Sequence, residues 1–248
     1  MSKYDLAIEP PLMNAAGSLG FAPNLHGQVD LGRLGAFVTN PVSLALRTPA
    51  HGRRFVTYPG GFLVHTGYPN PGFSQVLRRH TGQWSRSPLP VIVHLLAQGA
   101  EDASSMARRL ETVEGVIGLE VGLPKETSAE MVVDLTRAAS GELPVIVRLP
   151  LERATELAPA ALAAGAAAVS LGAPRGVLPV TDGENAQGRL YGPALFPLAL
   201  AAVSELVHNG IPVIGAGGVY SQEQADAMLK AGAMAVQLDS VLWRGGWI

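Results

Sequence analysis

The stretch Ile211-Pro-Val-Ile-Gly-Ala-Gly-Gly-Val219, followed by Ala233-Met-Ala-Val-Gln-Leu-Asp-Ser240, decides the fold of this chain. In each segment an apolar run of strand length ends in a turn, which is glycine-rich in the first and polar in the second. A helix-like stretch between them carries the chain back to the start of the second strand. This arrangement is typical of the last two strands of a (β/α)8 barrel, where backbone N–H groups and a helix N-terminus bind phosphate.

Six further apolar runs precede this pair, and alanine-rich helical stretches separate most of them. The alternation predicts a parallel sheet that closes into a TIM barrel. The chain of 248 residues therefore forms one domain, 1–248, since such barrels are commonly about 250 residues long. The predicted strands are Leu12–Ala15, Ala36–Asn40, Val91–Leu95, Val116–Val121, Val145–Leu149, Ala167–Leu171, Val213–Gly215 and Ala235–Leu238. The predicted helices are Ala103–Thr112, Ser128–Ala139, Ala154–Ala164, Pro193–His208 and Gln222–Ala231.

Two segments are too long for ordinary connections between a strand and a helix. Pro41–Pro90 is an excursion after the second strand, at about 41–90, and Gly172–Tyr191 follows the sixth strand. Both are expected as long loops on the face where the strands end, the catalytic face of this architecture. The eighth helix is expected to be truncated, because the tail is short. The apolar flanks of the first and last strands, together with Trp243, Trp247 and Ile248, then predict a homodimer or other oligomer.

Composition excludes several classes of function. A net charge of −2, without a dense basic stripe, argues against nucleic acid as a partner. The absence of cysteine excludes disulfides, thiolate catalysis and Cys-ligated zinc, and the six scattered histidines predict no metal site. The sequence contains no membrane-length apolar run, and Met1–Asp5 lacks a signal-peptide profile. We therefore expect a cytoplasmic protein that binds a small molecule.

The chain resembles the dihydroorotate dehydrogenase family of FMN-dependent barrels nearly end to end. One matching motif would be weak evidence, but six in the same order, at about the same spacings, are strong evidence. The resemblance implies a (β/α)8 barrel, an FMN cofactor and oxidoreductase activity. The matching pieces are Pro11-Leu-Met-Asn-Ala-Ala-Gly17, Gly35-Ala-Phe-Val-Thr39, Gly67-Tyr-Pro-Asn-Pro-Gly72, Gly192-Pro-Ala194, Gly215-Ala-Gly-Gly-Val219 and Leu229-Lys-Ala-Gly-Ala-Met-Ala-Val-Gln237.

The resemblance also implies where FMN would lie. Its ring would lie near Ala15, Asn40 and Arg148, and its phosphate near Gly217, Gly218 and Ser240. Asp239 would oppose the phosphate, because like charges about 4–5 Å apart repel by about 3–4 kcal/mol at an effective dielectric near 20. A second interpretation stays open: the glycines only permit a tight turn, and Asp239 and Ser240 cap a short terminal helix.

Several positions depart from the family pattern. Asn40 stands where the family carries a Lys beside the flavin, and Val64 stands in place of a substrate-binding Asn. Gly172 replaces another Asn, and Glu120–Lys125 lacks the Cys or Ser that removes a substrate proton. Losing an oriented base costs about 10²–10⁴-fold in rate, so the expected substrate is not dihydroorotate. The alternative is a flavin-free relative that serves as a binding or assembly subunit.

The strand pattern predicts that His94, Glu120, Arg148 and Gln237 face the inside of the barrel. Arg148 then either contacts flavin carbonyls in place of the family's Lys or forms an internal ion pair with Glu120, with His94 hydrogen-bonded nearby. His65, on the excursion, is the candidate for acid–base catalysis, although its surroundings are also turn chemistry. Similarly, Asn14 either lies near the flavin or satisfies strand backbone groups.

Overall fold

Eight short strands pair in parallel around a closed ring in the computed structural model of this chain, which describes residues 6–24, 26–52, 54–180 and 185–244. The strands, in chain order, are β1 (Leu12–Asn14), β2 (Phe37–Val38), β3 (Phe55–Tyr58), β4 (Gly61–Val64), β5 (Val91–Leu96), β6 (Val116–Gly122), β7 (Val145–Pro150), β8 (Ala168–Gly172), β9 (Arg175–Pro179), β10 (Asn185–Tyr191), β11 (Val213–Ala216) and β12 (Ala235–Leu238). The α-helices are α1 (Phe73–Trp84), α2 (Ala100–Leu110), α3 (Ala129–Ala139), α4 (Ala154–Ala163), α5 (Phe196–His208) and α6 (Gln222–Lys230). The ring runs β1-β12-β11-β8-β7-β6-β5-β2, and a parallel bridge between Met13 and Ala36 closes it. The predicted (β/α)8 barrel is confirmed.

Asn14 ties β1 to β2 with its side chain. Its carboxamide oxygen accepts a hydrogen bond from Val38 N (2.8 Å), and its Nδ2 donates one to Val38 O (2.7 Å). The residue is fully buried. These two bonds stand in for ladder bonds that the two-residue strand β2 is too short to make. Of the two interpretations of Asn14, the structure supports the one in which it satisfies strand backbone groups.

Alternation along the strands divides the core into two layers. Inward-facing residues such as Ile92, Ile146 and Ile214 fill the lower half of the barrel, with Leu6 and Ile8 packed against the same cluster. Outward-facing strand residues form a second, larger cluster with the helices. The apolar filling stops at mid-barrel. The inward positions above it, towards the strand ends, are polar.

Each predicted helix is present, with its ends shifted by up to three residues, but the two predicted long loops are wrong in part. The excursion contains the hairpin β3–β4 and helix α1, and the second loop contains the hairpin β9–β10. The four hairpin strands form one antiparallel sheet in the order β3-β4-β10-β9. Strands β4 and β10 pair although more than a hundred residues separate them, so no local pattern could predict this sheet.

The outer flanks of β1 and β12 are covered by the chain itself, so the predicted exposed flank is wrong. Leu12 and Val236 are 6% and 0% exposed. They share an apolar cluster with Leu242 of the terminal 3-10 helix and with Leu19 and other residues of the 15–36 segment. The expected oligomer stays a prediction, but an exposed flank no longer supports it. Trp247, Ile248 and Met1–Asp5 lie outside the described residues.

Candidate functional site

The carboxyl ends of the barrel strands open against the antiparallel sheet of the two hairpins. The space between them, here called the mouth, is lined by Tyr68, His94, Arg148, Arg175 and Arg189. Aromatic side chains close one side of it, since the rings of Phe62 and Tyr191 stack with centroids 5.7 Å apart, and Trp243 lies 5.8 Å from Tyr191. The hairpins therefore turn an open barrel end into narrow clefts.

Glu120 is the centre of a buried hydrogen-bond network at the base of the mouth. Its side chain is 0% exposed. Oε2 lies 2.5 Å from Nδ1 of His94, and Oε1 accepts hydrogen bonds from Ser170 Oγ (2.7 Å) and Gln237 Nε2 (2.6 Å). These residues come from four strands, β5, β6, β8 and β12. A buried carboxylate needs such partners, because without them its desolvation costs several kcal/mol.

The network fixes the protonation states of Glu120 and His94. Burial alone would raise the pKa of Glu120, but the hydrogen bond from His94, the charge of Arg148 and the hydrogen bond from Ser170 lower the pKa to about 2. Burial lowers the pKa of His94, against the opposing effect of Glu120. At pH 7 the carboxylate is therefore ionised and the imidazole is neutral. Since Nδ1 donates its proton to Glu120, the lone pair of Nε2 is available.

Gly122 gives the His94 ring its space. A Cβ atom on Gly122 would lie 2.5 Å from His94 Nε2, so any side chain there would displace the imidazole. The ring lines the mouth beside Tyr68 and Arg148. A carboxylate that holds one ring nitrogen while the other faces a cleft is the arrangement of a general base. Sequence reasoning treated His94 only as a neighbour of an ion pair and missed this arrangement.

The guanidinium of Arg148 has no strong partner among the described residues. Its side chain is 9% exposed, and Nη1 lies 3.8 Å from Glu120 Oε2, which is too far for a hydrogen bond. Among the described residues, no group accepts a hydrogen bond from its guanidinium. The predicted Glu120–Arg148 ion pair is thus present only as a longer-range contact, and the close partner of Glu120 is His94. The guanidinium N–H groups remain available to a ligand.

The glycine turn after β11 offers free backbone donors. Gly217 and Gly218 have φ angles of +115° and +68°, which favour glycine. A Cβ on Gly218 would collide with the backbone of Phe196, so packing against α5 also requires this glycine. No described group accepts a hydrogen bond from the N–H of Gly217, Gly218 or Val219. The turn interpretation therefore has direct support, and the geometry needed for an anion is present as well.

The opposite side of this turn is crowded. The Oγ of Ser240 is hydrogen-bonded to the hydroxyl of Tyr220 at 2.6 Å. The cavity enclosed by Arg148, Gly217, Gly218 and Ser240 has a volume of about 20 Å³, room for about one water molecule. The structure thus brings together four of the six residues predicted to hold FMN, but leaves little space between them.

Asp239 lines the same cavity. Its backbone oxygen accepts a hydrogen bond from Leu242 N (3.0 Å), but no described group donates to its carboxylate. The capping interpretation of this side chain is therefore not supported. Burial raises the pKa of Asp239 to about 6, although Arg148 and Arg189 act in the opposite direction. A carboxylate thus stands beside the free N–H groups, as expected from the sequence.

The other two predicted flavin contacts have structural tasks. Ala15 is 0% exposed, and its N–H donates to Leu238 O at 2.7 Å. Asn40 accepts a hydrogen bond from Gly20 N at 3.1 Å, which fixes the segment between β1 and β2. Neither residue lines the cavity beside Arg148.

His65 lies at the outer edge of the mouth. It is exposed and lines a cleft that it shares with Arg47 and Arg189. No described group forms a hydrogen bond with its ring, so it lacks the orienting carboxylate that His94 has. Its neighbour Asn70 folds the loop, since Oδ1 accepts from Gly72 N (3.0 Å) and Nδ2 donates to Tyr68 O (3.1 Å).

The part of the chain that the structure describes contains neither a cluster of metal ligands nor a membrane-spanning helix. No group of three or more His, Asp or Glu residues there can hold a metal ion. No described helix has the length and apolar character needed to cross a membrane.

Comparison with known proteins bears on the whole chain. The sequence profile of the family described as dihydroorotate dehydrogenase matches residues 3–248. A solved structure, DHODH from Eimeria tenella in complex with ferulenol, superimposes with a TM-score of 0.76 at 15% identity, covering 95% of this chain and 77% of that chain. At this identity the likeness bears on the fold alone.

Curated relatives are closer in sequence. Dihydroorotate dehydrogenase A (fumarate) of Lacticaseibacillus paracasei is 33% identical over 257 residues, covering 94% of this chain and 88% of that protein. The catalytic subunit of dihydroorotate dehydrogenase B (NAD(+)) of Pelobacter propionicus is 32% identical over 256 residues, covering 94% and 84%. The barrel, the order of its motifs and these matches lead to one conclusion: the chain belongs to the dihydroorotate dehydrogenase family.

Proposed function

We propose that this protein is an FMN-dependent oxidoreductase that acts on a substrate other than dihydroorotate. The observation that carries the proposal is the guanidinium of Arg148, which is 9% exposed and has no hydrogen bond to the described residues. It lines one cavity with Gly217 and Gly218, whose N–H groups donate to no described group. Bound FMN would supply the hydride chemistry, while the protein supplies binding and orientation.

The donors and acceptors around this cavity fit the groups that FMN presents. A guanidinium suits the carbonyl edge of the flavin ring, and free N–H groups at a glycine turn suit a phosphate. Gln237 Oε1 is buried without a partner and suits a ring N–H. We therefore assign cofactor binding to Arg148, Gly217 and Gly218. Because the cavity has a volume of only about 20 Å³, the side chains around it must move aside before a ligand of flavin size can bind.

A substrate other than dihydroorotate follows from the side chains that the mouth lacks. Val64 cannot pair with a polar ring edge, and Gly122 and Gly172 present no side chain at all. Each polar substrate group left unpaired in a buried site costs about 1–3 kcal/mol. The names of the relatives state dihydroorotate as their substrate, but the residues of this mouth do not suit dihydroorotate.

On this proposal, His94 Nε2 accepts the proton that leaves the substrate, and Glu120 holds the ring. We predict that ¹⁵N NMR at pH 7.5 finds His94 neutral, with its proton on Nδ1, because burial lowers its pKa from 6.5 and Nδ1 faces a carboxylate. A His94→Gln variant identifies the signal. A doubly protonated ring at this pH would contradict the assignment, since a protonated Nε2 cannot accept a proton.

Flavin absorbance tests the proposal directly. We expect the purified protein to carry FMN, or to take it up on addition, and Arg148→Met to weaken FMN binding by about ten- to a hundredfold, because a hydrogen bond to a charged group is lost. The exposed Arg137 of α3 provides the matched control, and Arg137→Met should bind FMN as the unchanged protein does. A colourless protein that takes up no FMN would refute the proposal.

A second candidate function is that of a flavin-free binding or assembly subunit. The small cavity beside Gly217, the Tyr220–Ser240 hydrogen bond and the carboxylate of Asp239 favour it. Exposed apolar side chains suit assembly, in particular Leu46 (68% exposed) and Phe55 (55%). The homodimer predicted from the sequence would be one such assembly. The FMN titration above separates the two candidates.

A further inference from the structure

Two arginines stand directly opposite each other on the sheet that covers the mouth. Arg175 of β9 and Arg189 of β10 are register partners in an antiparallel pair. Like charges in this position destabilise a sheet. Arg175 is exposed and has no hydrogen bond or ion pair within the described residues. Partial burial of its guanidinium and the charge of Arg189 lower the pKa of Arg175. No described carboxylate forms an ion pair with either arginine, and Glu152 and Asp239 act on the pair only at longer range.

Two arginines of the mouth are held in place by the backbone. Arg189 donates from Nη1 to Ala173 O (2.8 Å), and its guanidinium lies 5.7 Å from the centre of the Tyr68 ring. Arg47 donates from Nε to Gly67 O (3.1 Å). Each anchor uses one nitrogen and leaves other N–H donors free. Side chains ordered in this way lose little further entropy when they bind a ligand.

The mouth is cationic although the chain carries a net charge of −2. Arg47, Arg175 and Arg189, the arginine trio, line one cleft of about 180 Å³. Among the described residues, Asp239 is the only acidic one that lines that cleft, and its carboxylate accepts no hydrogen bond from a described residue. A cleft with low-dielectric walls in which positive charge predominates concentrates anions. The volume suits a small ligand.

We propose that the arginine trio binds a small anion with at least two negative charges, a phosphate ester or a dicarboxylate, as the charged part of the substrate. Arginine forks match both groups through paired N–H donors. A single negative charge would leave the facing pair Arg175 and Arg189 unbalanced, whereas two charges neutralise it. That this anion is part of the substrate rests on the proposed function, whereas binding of the anion to the arginine trio does not depend on FMN.

Thermal melting and calorimetry at constant ionic strength test the trio, with inorganic phosphate at pH 8, malonate and acetate as probes. We expect phosphate or malonate to raise the melting temperature in a saturable way, and acetate to have no such effect. Arg175→Gln should weaken binding at least tenfold. It should also melt no lower than the unchanged protein without ligand, because it removes a repulsion and no contact. The exposed Arg108 of α2 provides the control, Arg108→Gln.

Three results would overturn the inference. They are the failure of both phosphate and malonate to bind, binding of acetate as tight as theirs, and binding by Arg175→Gln as tight as by the unchanged protein. The same variant is also tested with the cofactor: FMN should bind to Arg175→Gln as tightly as to the unchanged protein. If FMN binding were lost there, the trio would hold the cofactor's phosphate, and the substrate assignment would be wrong. A protein that binds phosphate but no FMN would refute the proposed function and leave the anion site standing.

Discussion

Replacing Glu120 by Gln is expected to destabilise the protein by about 3–5 kcal/mol. The carboxylate accepts hydrogen bonds from His94, Ser170 and Gln237 while fully buried. A carboxamide has only one oxygen for these donors, and each donor left unpaired costs about 1–3 kcal/mol. Urea denaturation measures the change. The exposed Glu126 provides the control, and Glu126→Gln should stay within about 0.5 kcal/mol.

The same measurement separates a network centred on Glu120 from the symmetric ion pair expected from the sequence. Arg148 lies 3.8 Å from Glu120 and makes no hydrogen bond with it, so Arg148→Met should cost less than about 1 kcal/mol. A symmetric pair would cost about 3–5 kcal/mol when either partner is removed. The double variant should therefore remain nearly as unstable as Glu120→Gln alone. Equal losses for Glu120 and Arg148 would contradict the network.

The contribution of the same network to stability should depend on pH. The pKa of Glu120 in the folded protein, about 2, lies below its ordinary value of 4.5. The stability that this group contributes is therefore present above about pH 4.5 and is lost as the pH falls towards 2. His94 acts in the same direction from pH 6.5 downwards, because its pKa is lowered. In Glu120→Gln, the decrease in stability that this carboxylate causes below pH 4.5 should be absent.

The barrel could be predicted from the sequence because its strands are local signals. Runs such as Val145–Leu149 are apolar except for one residue, and a helical stretch precedes the next run. The sheet over the mouth could not be predicted, because β4 and β10 are distant in the chain and carry no clear alternation. Helix α1 was missed for a related reason: it is largely polar and buries only Phe73, Val76 and Trp84.

The candidate site, too, could be predicted from the sequence only in part. Family motifs predicted that Arg148, Gly217, Gly218 and Ser240 belong together, and these residues do line one cavity. The strand pattern also predicted which residues face inwards. It could not predict that Glu120 contacts His94 closely and Arg148 only at 3.8 Å, because that depends on register and on side-chain conformation. The role of Gly122, which makes space for the imidazole, is visible only in three dimensions.

Asp239→Gly is expected to strengthen FMN binding by up to about thirtyfold at pH 7.5. The carboxylate lines the cavity with the free N–H groups of Gly217 and Gly218, and it is mainly ionised above its pKa of about 6. Repulsion of a phosphate about 4–5 Å away costs about 3–4 kcal/mol at an effective dielectric near 20. Because protonating this carboxylate at pH 7.5 costs only about 2 kcal/mol, the gain is limited to about thirtyfold. Flavin absorbance in a titration with FMN measures the difference.

The pH dependence of stability gives Asp239 a second, ligand-free test. Its folded pKa of about 6 lies above the ordinary 3.8, so the folded protein holds the proton more tightly, and stability declines as the pH rises from about 4 through 6. Asp239→Asn should therefore be more stable than the unchanged protein at pH 8, by about 1–3 kcal/mol, and similar to it near pH 4. The exposed Asp134 of α3 is the control, and Asp134→Asn should show no such crossover. If Asp239→Asn gained nothing at pH 8 and Asp239→Gly bound FMN no more tightly, the carboxylate would not oppose a phosphate, and the crowded cavity itself would be the barrier to FMN.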